Sequence, residues 1–292
     1  MAVYKRTYKA YNGPLTPAWS RFTVLSRYGL GNLFSSRPFT AYTVLCFVPF
    51  LIGLVLVYVL NSSTAQAVLQ IGPHHPTVDK RWFLVFLSIE AWMGFILAAW
   101  CGPGMITKDF ANHSVQLYLS RPLSRVEYLL GKASVMFILL SLISWIPGLV
   151  LFFVQAGLQG PGWLWENLWM AGAIVLSCLI GIAMVSLLSM AVAVWVKWRI
   201  AATALMFAVF FLLPALAQAI SVILRTSWGQ VLNFPLMIMV IWSHLFRLQP
   251  WNSHSPILGI PLWTAWTSAL SMCAICFWGL NLKLKAREVE RS

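Results

Sequence analysis

The sequence predicts an all-α polytopic membrane protein: six transmembrane helices, an N-terminal interfacial amphipathic helix, and a short re-entrant or interfacial helix before the last span. Two observations predict this fold class. The 292 residues are 60% hydrophobic and only 9% charged, whereas an ordinary soluble domain carries about 25% charged residues. Six apolar runs also reach the roughly 20 residues that a bilayer-spanning helix needs. The connectors between them are too short for a soluble catalytic domain.

The first segment, residues 1–38, is basic and precedes the spans. Thr16 followed by Pro17 is typical of a helix start, because threonine caps the first turn and proline tolerates its first position. An apolar stripe follows at three-residue steps: Trp19, Phe22, Leu25 and Tyr28. We therefore expect a helix over residues 16–29 in the inner headgroup layer. The alternative is a loosely ordered basic tail that touches anionic lipid.

The transmembrane domain covers residues 39–282 and contains six apolar runs. They are Phe39–Leu60, Trp82–Ile106, Tyr128–Gln155, Asn167–Val196, Ile200–Leu224 and Leu258–Leu282. Within the runs we expect local helix bends at Pro49, Pro147 and Pro214. A seventh run, Phe234–Phe246, is too short to cross the hydrocarbon core. It predicts the re-entrant or interfacial helix within the loop 225–257.

The distribution of positive charge predicts the orientation. Six consecutive spans place the segments between them on alternate sides of the membrane. Sixteen of the 20 Lys and Arg residues then fall on one side, and four fall on the other. The four are Lys80, Arg81, Arg225 and Arg247. By the positive-inside rule we expect both termini, including the tail 283–292, in the cytoplasm of a bacterium whose inner membrane holds the protein. Because the cations flank apolar runs, we expect membrane lipids as partners and no nucleic acid.

The sequence lacks the residues of the common catalytic sites. Gly131-Lys132 does not belong to a phosphate-binding loop of the form G-x-x-x-x-G-K-[ST]. The motif requires serine or threonine at position 133 and glycine at position 126, and the sequence has Ala133 and Val126 there. The histidines and acids are scattered, and all five cysteines fall inside predicted spans. We therefore expect no enzymatic activity, no metal site and no cofactor in this chain.

The connector 107–127, between the second and third spans, is the most informative segment. Asp109 can cap a short amphipathic helix that runs to about Leu119 and stops before Pro122. Ser124 and Glu127 then match a capping box directly before the third span. From these residues alone, two interpretations are equally good: a unit that transmits force from a soluble partner, or a connector that only caps its helices.

A resemblance favours the first interpretation. The connector contains Thr107-Lys108-Asp109, the run from Leu117 to Arg125, Glu127-Tyr128 and Gly131-Lys132. These motifs resemble the connector of type 2 ABC exporter permeases, and the overall plan of the spans is similar too. The resemblance implies a permease that moves a substrate across the membrane, while a separate ATPase subunit binds ATP and Mg. It also implies a homodimer or heterodimer with a second permease.

The same resemblance implies roles for individual residues. The helix Asp109–Leu119 would be the coupling helix that docks on the ATPase. The implied coupling residues are Asp109, Phe110, His113, Gln116, Tyr118, Arg121 and Arg125, with the two arginines at that contact or on lipid phosphates. The alternative function is an accessory structural subunit of a larger membrane complex, without transport activity.

Glu90 is the one acid inside a predicted span. It lies eight residues after Trp82, or about 12 Å along a helix, which places it near the bilayer centre. An exposed charge there costs about 2.5–3.5 kcal/mol, so we expect Glu90 to face protein or a wet cavity, or to be protonated. A role in the translocation path or dimer interface and a neutral, hydrogen-bonded packing role are equally compatible with the sequence.

Overall fold

The computed structural model describes residues 21–70, 77–111, 125–196, 198–225, 227–248 and 261–289, and within these ranges no strand occurs. Six helical segments of this described part are long and apolar enough to cross a membrane. They are Arg37–Asn61, Lys80–Thr107, Val126–Gln159, Pro161–Trp195, Arg199–Ile223 and Leu262–Lys283. The predicted all-α fold class with six spans is therefore confirmed.

The first helix, α1 (Arg21–Phe34), lies along the third span. It continues to Phe34, beyond the predicted end at Gly29. Packing explains the extension, because Leu30 and Leu33 contact the buried core. Tyr28 is 77% exposed to the surroundings of the chain. Thr16, Pro17 and Trp19 lie outside the described residues, so the predicted start of this helix stays a prediction.

Proline positions explain the bends within three of the spans. Span 1 consists of α2 (Arg37–Leu45) and α3 (Val48–Asn61), with Pro49 in the first turn of α3. A short helix, α4 (Ser63–Val68), follows. Proline lacks the N–H group that would continue the preceding turn, so the helix breaks just before it. The bend predicted at Pro49 is confirmed.

The second span is the single helix α5 (Lys80–Ala111). Its 32 residues extend over about 48 Å, more than the roughly 30 Å of a hydrocarbon core. Asp79 begins the helix, because its Oδ1 accepts the backbone N–H groups of Arg81 and Trp82. Asp109 lies near the opposite end of α5. The prediction that Asp109 caps a new helix is therefore wrong.

The third span consists of α6 (Arg125–Ile143) and α7 (Trp145–Gln159), and Pro147 lies in the first turn of α7. The bend predicted there is confirmed. The fourth span is the unbroken helix α8 (Pro161–Trp195), which begins six residues before the predicted Asn167. Gly160 separates α7 from α8 with a φ of +93°, a backbone conformation that glycine adopts without a steric cost.

The fifth span joins α9 (Arg199–Phe207) to α10 (Leu213–Ile223) through a π-helical turn at Ala208–Leu212. Pro214 lies in the first turn of α10, directly after this distortion. A 3₁₀ turn (Ser227–Leu232) leads to the short helix α11 (Phe234–Leu245), which confirms a helix too short to span. The last span belongs to α12 (Leu262–Val289).

Helix α8 is the centre of the described bundle, because it packs against α5, α6, α7 and α12. Its contact with α5 is close at Gly102, where a side chain would collide with the hydroxyl of Ser189. Spans 1 and 5 are the least covered by the rest of the chain. The described helices therefore leave much of the surface of those two spans uncovered.

Candidate coupling site and the cavity beside Glu90

An ion pair joins the ends of the second and third spans. The Nζ atom of Lys132 lies 2.7 Å from Oδ2 of Asp109. The hydroxyl of Tyr128 donates to the same oxygen at 2.9 Å, and Lys132 also donates to the carbonyl of Met105 at 3.4 Å. Tyr128 and Lys132 are four residues apart on α6, so they present one face to α5. We call Asp109, Tyr128 and Lys132 the connector clamp.

The connector clamp is largely shielded from solvent. The side chains of Lys132 and Asp109 are only 10% and 15% exposed. Removing one member of a buried ion pair leaves the other charge without its partner, which is strongly destabilising. In the sequence, Asp109 precedes residues 112–124 and Lys132 follows them. The ion pair therefore holds the end of α5 close to the first turns of α6.

The N-terminal helix docks beside the clamp. The hydroxyl oxygens of Ser26 and Ser134 lie 2.5 Å apart, and Ser26 also donates to the carbonyl of Gly131 at 3.3 Å. Gly131 and Ser134 flank Lys132 along α6. Helix α1 and the ends of α5 and α6 therefore meet at one place.

Only part of the predicted coupling set falls within the described residues. Phe110 occupies the last turn of α5 and Arg125 begins α6, and nothing is described of their side chains. Glu127 lies in the first turn of α6, where the predicted capping box requires it. Five residues lie outside the described part, and their roles stay predictions: His113, Gln116, Tyr118, Arg121 and Ser124.

Sequence reasoning missed the pairing of Lys132 and Tyr128 with Asp109. The signal was present, because a lysine within an apolar run requires a counter-charge or an escape to water. A tyrosine one turn earlier, on the same helix face, was a further indication. The identity of the partner could not be read from the sequence, because the pattern around Asp109 predicts a helix cap and not an ion pair.

A second candidate site surrounds Glu90, in the middle of α5. Glu90 has 0% exposed surface, and neither carboxylate oxygen has a hydrogen-bond partner in the described part of the chain. The hydrogen-bonded packing interpretation is therefore not supported. The indole N–H of Trp242, on α11, is likewise buried without an acceptor there. Both residues line one cavity of about 330 Å³.

The cavity lies between α5, α8, α11 and the junction of α6 with α7, and the π-helical turn of span 5 contributes one wall. The wall is mostly apolar and aromatic. Phe95 and Phe210 are in ring contact, with centroids 4.0 Å apart, and Trp92 contacts Phe211 at 5.6 Å. The π-helical turn thus directs Phe210 toward α5 at the edge of the cavity.

Comparison with known proteins assigns the chain to a family. Residues 36–277 match the family described as ABC-2 family transporter protein. No curated protein matches the chain. The matched region begins at span 1, ends within span 6, and contains both Glu90 and the connector clamp. Because this match covers most of its length, the chain belongs to the ABC-2 family and is a multi-pass membrane permease of an ABC transporter.

Proposed function

We propose that this protein is the permease subunit of an ABC exporter, driven by ATP that a separate subunit hydrolyses on the cytoplasmic side. Permeases of this family generally work with a separate ATPase subunit. In this proposal ATP and Mg bind to that partner and not to the chain described here. The connector clamp is the observation that carries the coupling mechanism.

The clamp supports coupling because it joins two spans at the point where an external protein would push. Residues 112–124 lie between α5 and α6 in the sequence, and the pair formed by Asp109 and Lys132 joins those two helices. A displacement of this connector reaches both spans together, since the ion pair resists their separation. The ATPase then shifts the permease between conformations only as far as its nucleotide states differ in affinity for the connector.

Helix α5 connects the clamp to the cavity. Glu90 and Asp109 lie on this one helix, nineteen residues or about 28 Å apart. Pro103 lies between them and removes one backbone hydrogen bond of the helix, so a movement of the end of α5 would reach its middle through this proline position. The proposed mechanism is alternating access, in which movement of α5 and α6 opens the cavity first to one side of the membrane and then to the other.

The proposed contacts with the ATPase are those that the resemblance implies. Phe110, His113, Gln116 and Tyr118 would meet the partner subunit. Arg121 and Arg125 would lie at its edge or on lipid phosphates. We place this connector and both termini in the cytoplasm of a bacterial cell, because sixteen of the 20 Lys and Arg residues cluster on that side.

A second permease, identical or related, completes the proposed assembly. The exposed apolar side chains of span 1 and span 5 support this, since they are the least covered by their own chain. Leu51, Val55 and Leu216 are examples, each more than two-fifths exposed. Lipid would cover whatever the second subunit leaves free.

The test is co-expression with the ATPase encoded nearest to this chain, followed by purification and reconstitution in vesicles. We expect the two proteins to co-purify, and the permease to change the rate of ATP hydrolysis. Replacing Arg121 and Arg125 by glutamate together with Gln116→Pro should remove that change. The matched control reverses Arg81 and Arg225 at the opposite span ends, and it should leave hydrolysis unaltered.

Two results would contradict the proposal. One is co-purification with non-ATPase subunits alone, which is what an accessory structural subunit requires. The other is unchanged coupling in the connector variant, provided that it inserts and elutes like the unmodified protein.

A further inference from the structure

The cavity beside Glu90 has the size and the lining of a small-molecule site. Its volume of about 330 Å³ falls at the lower end of ligand pockets, which span about 300–1,000 Å³. Such pockets are typically apolar and contain a few polar groups that fix the orientation of the ligand. Here those groups are the Glu90 carboxyl, the Trp242 indole N–H, and the hydroxyls of Ser88 and Ser144.

The polar groups of this cavity differ in how well they are satisfied. Ser88 and Ser144 donate to backbone carbonyls of their own helices, at 2.7 Å and 2.6 Å. Glu90 and Trp242 have no hydrogen-bond partner within the described ranges. Buried polar groups are nearly always paired in native proteins. Glu90 and Trp242 therefore give the cavity a carboxyl group and an N–H group that a complementary ligand would pair.

The charge complementary to an ionised Glu90 is positive. The described lining contains the Glu90 carboxyl and no lysine, arginine or histidine. Aromatic residues supply much of the remaining wall, among them Trp92, Phe95 and Phe210. The faces of aromatic rings attract cations, most strongly where water is excluded. A cation with an apolar body would satisfy the carboxylate and the wall together.

We propose that this cavity binds an apolar organic cation, and that such cations are the substrates of the exporter. The second clause rests on the function proposed above. The Glu90 oxygens are covered, so binding requires the side chain to turn into the cavity through another staggered rotamer. The Trp242 N–H is covered in the same way, so donation to a ligand would require a shift of that ring as well.

The binding test uses the purified permease in lipid nanodiscs, without any ATPase. Tetraphenylphosphonium and tetraphenylborate have nearly the same shape and opposite charge, so their comparison isolates the charge. Equilibrium binding is corrected with empty discs of the same lipid. We expect the cation to bind the protein at least about tenfold more tightly than the anion, as a charge-assisted contact provides.

Two variants test whether Glu90 is the source of the preference for the cation over the anion. Glu90→Gln keeps the shape of the side chain and removes its charge, and we expect the preference for the cation to disappear. Glu166→Gln removes the same charge from an exposed position of α8 that does not line the cavity. This control should bind the cation as the unmodified protein does.

The proposal is overturned if the unmodified protein binds both ions equally or neither, a result that needs no variant and no assumption about folding. It is also overturned if Glu90→Gln retains the cation preference, because Glu90 would then be a neutral packing group.

The proposal that such cations are substrates has its own test in vesicles with the ATPase. There the cation should stimulate ATP hydrolysis, and Glu90→Gln should abolish that stimulation. Binding without stimulation overturns the substrate clause alone. Failure of the ATPase to associate contradicts the proposed function and leaves the binding result intact.

Discussion

The ammonium group of Lys132 and the carboxylate of Asp109 lie 2.7 Å apart, which ties the end of the second span to the start of the third. The two residues are 23 positions apart in the sequence and lie on either side of residues 112–124. Each charge stabilises the other, because Lys132 belongs to an apolar helix and an unpaired ammonium group there would be costly. The pair therefore stabilises the protein locally and also joins the two helices between which the connector runs in the sequence.

Neutralising either side of this pair should destabilise the protein. For Asp109→Asn we expect a loss of about 1–3 kcal/mol in the free energy of unfolding, since a largely buried ammonium group loses its counter-charge. Thermal unfolding in detergent measures the effect. The exchanged variant, Asp109→Lys with Lys132→Asp, should recover much of that loss. Equal stability of the single variants and the unmodified protein would show that the clamp is energetically unimportant.

The docking of α1 should depend on Gly29 and not on Gly31. A Cβ atom at Gly29 would lie 2.8 Å from Cγ2 of Val135, whereas nothing lies within 4 Å of a Cβ at Gly31. Gly31→Ala should therefore stabilise α1 by up to about 1 kcal/mol through helix propensity. Gly29→Leu should lower the melting temperature and expose α1 to protease, and Gly31→Leu is its matched control. Identical behaviour of the two leucine variants would contradict the described packing.

The close approach of α5 and α8 should make Gly102 intolerant of a side chain. A Cβ there would collide with the Ser189 hydroxyl and lie 3.0 Å from its Cβ. We expect Gly102→Ala to cost about 1–3 kcal/mol, as overpacking generally does. Adding Ser189→Ala should restore part of the loss, because it removes the nearest atom. Gly172→Ala, in open space on α8, is the control, and a Gly102 variant as stable as this control would argue against the contact.

A cluster of amides should hold span 1 to span 3 at the end opposite the clamp. Asn61 donates to Gln155 at 2.7 Å and accepts from Gln159. Asn61→Leu removes both contacts and leaves the buried Gln155 amide without its partner, so we expect a loss of about 1–3 kcal/mol. Asn167→Leu is the comparison, because among the described residues Asn167 bonds only within its own helix, to the Trp163 carbonyl. Hydrogen exchange at the end of α3 should increase in the first variant and not in the second.

The number of spans and the short helix α11 were predictable because they depend on local composition. The free energies of transfer of apolar side chains into hydrocarbon are nearly additive along a run. A hydropathy profile therefore identifies the six segments. The bends before Pro49, Pro147 and Pro214 were predictable for a similar reason, since a proline disrupts its own preceding turn. Helix ends were less predictable. Asp109 extends α5 instead of opening a new helix, because its carboxylate bonds to another span.

The sequence by itself thus determined which segments are long and apolar enough to enter the membrane, how many there are, and that spans 1, 3 and 5 bend near Pro49, Pro147 and Pro214. Tertiary structure alone decided which faces meet: Lys132 with Asp109, Ser26 with Ser134, and Glu90 with a cavity bounded by four helices and the π-helical turn. The physical reason is that the hydrocarbon core is nearly indifferent to the rotation of an apolar helix about its own axis. That rotation is settled by close packing and by the pairing of a few polar groups that are far apart in the chain.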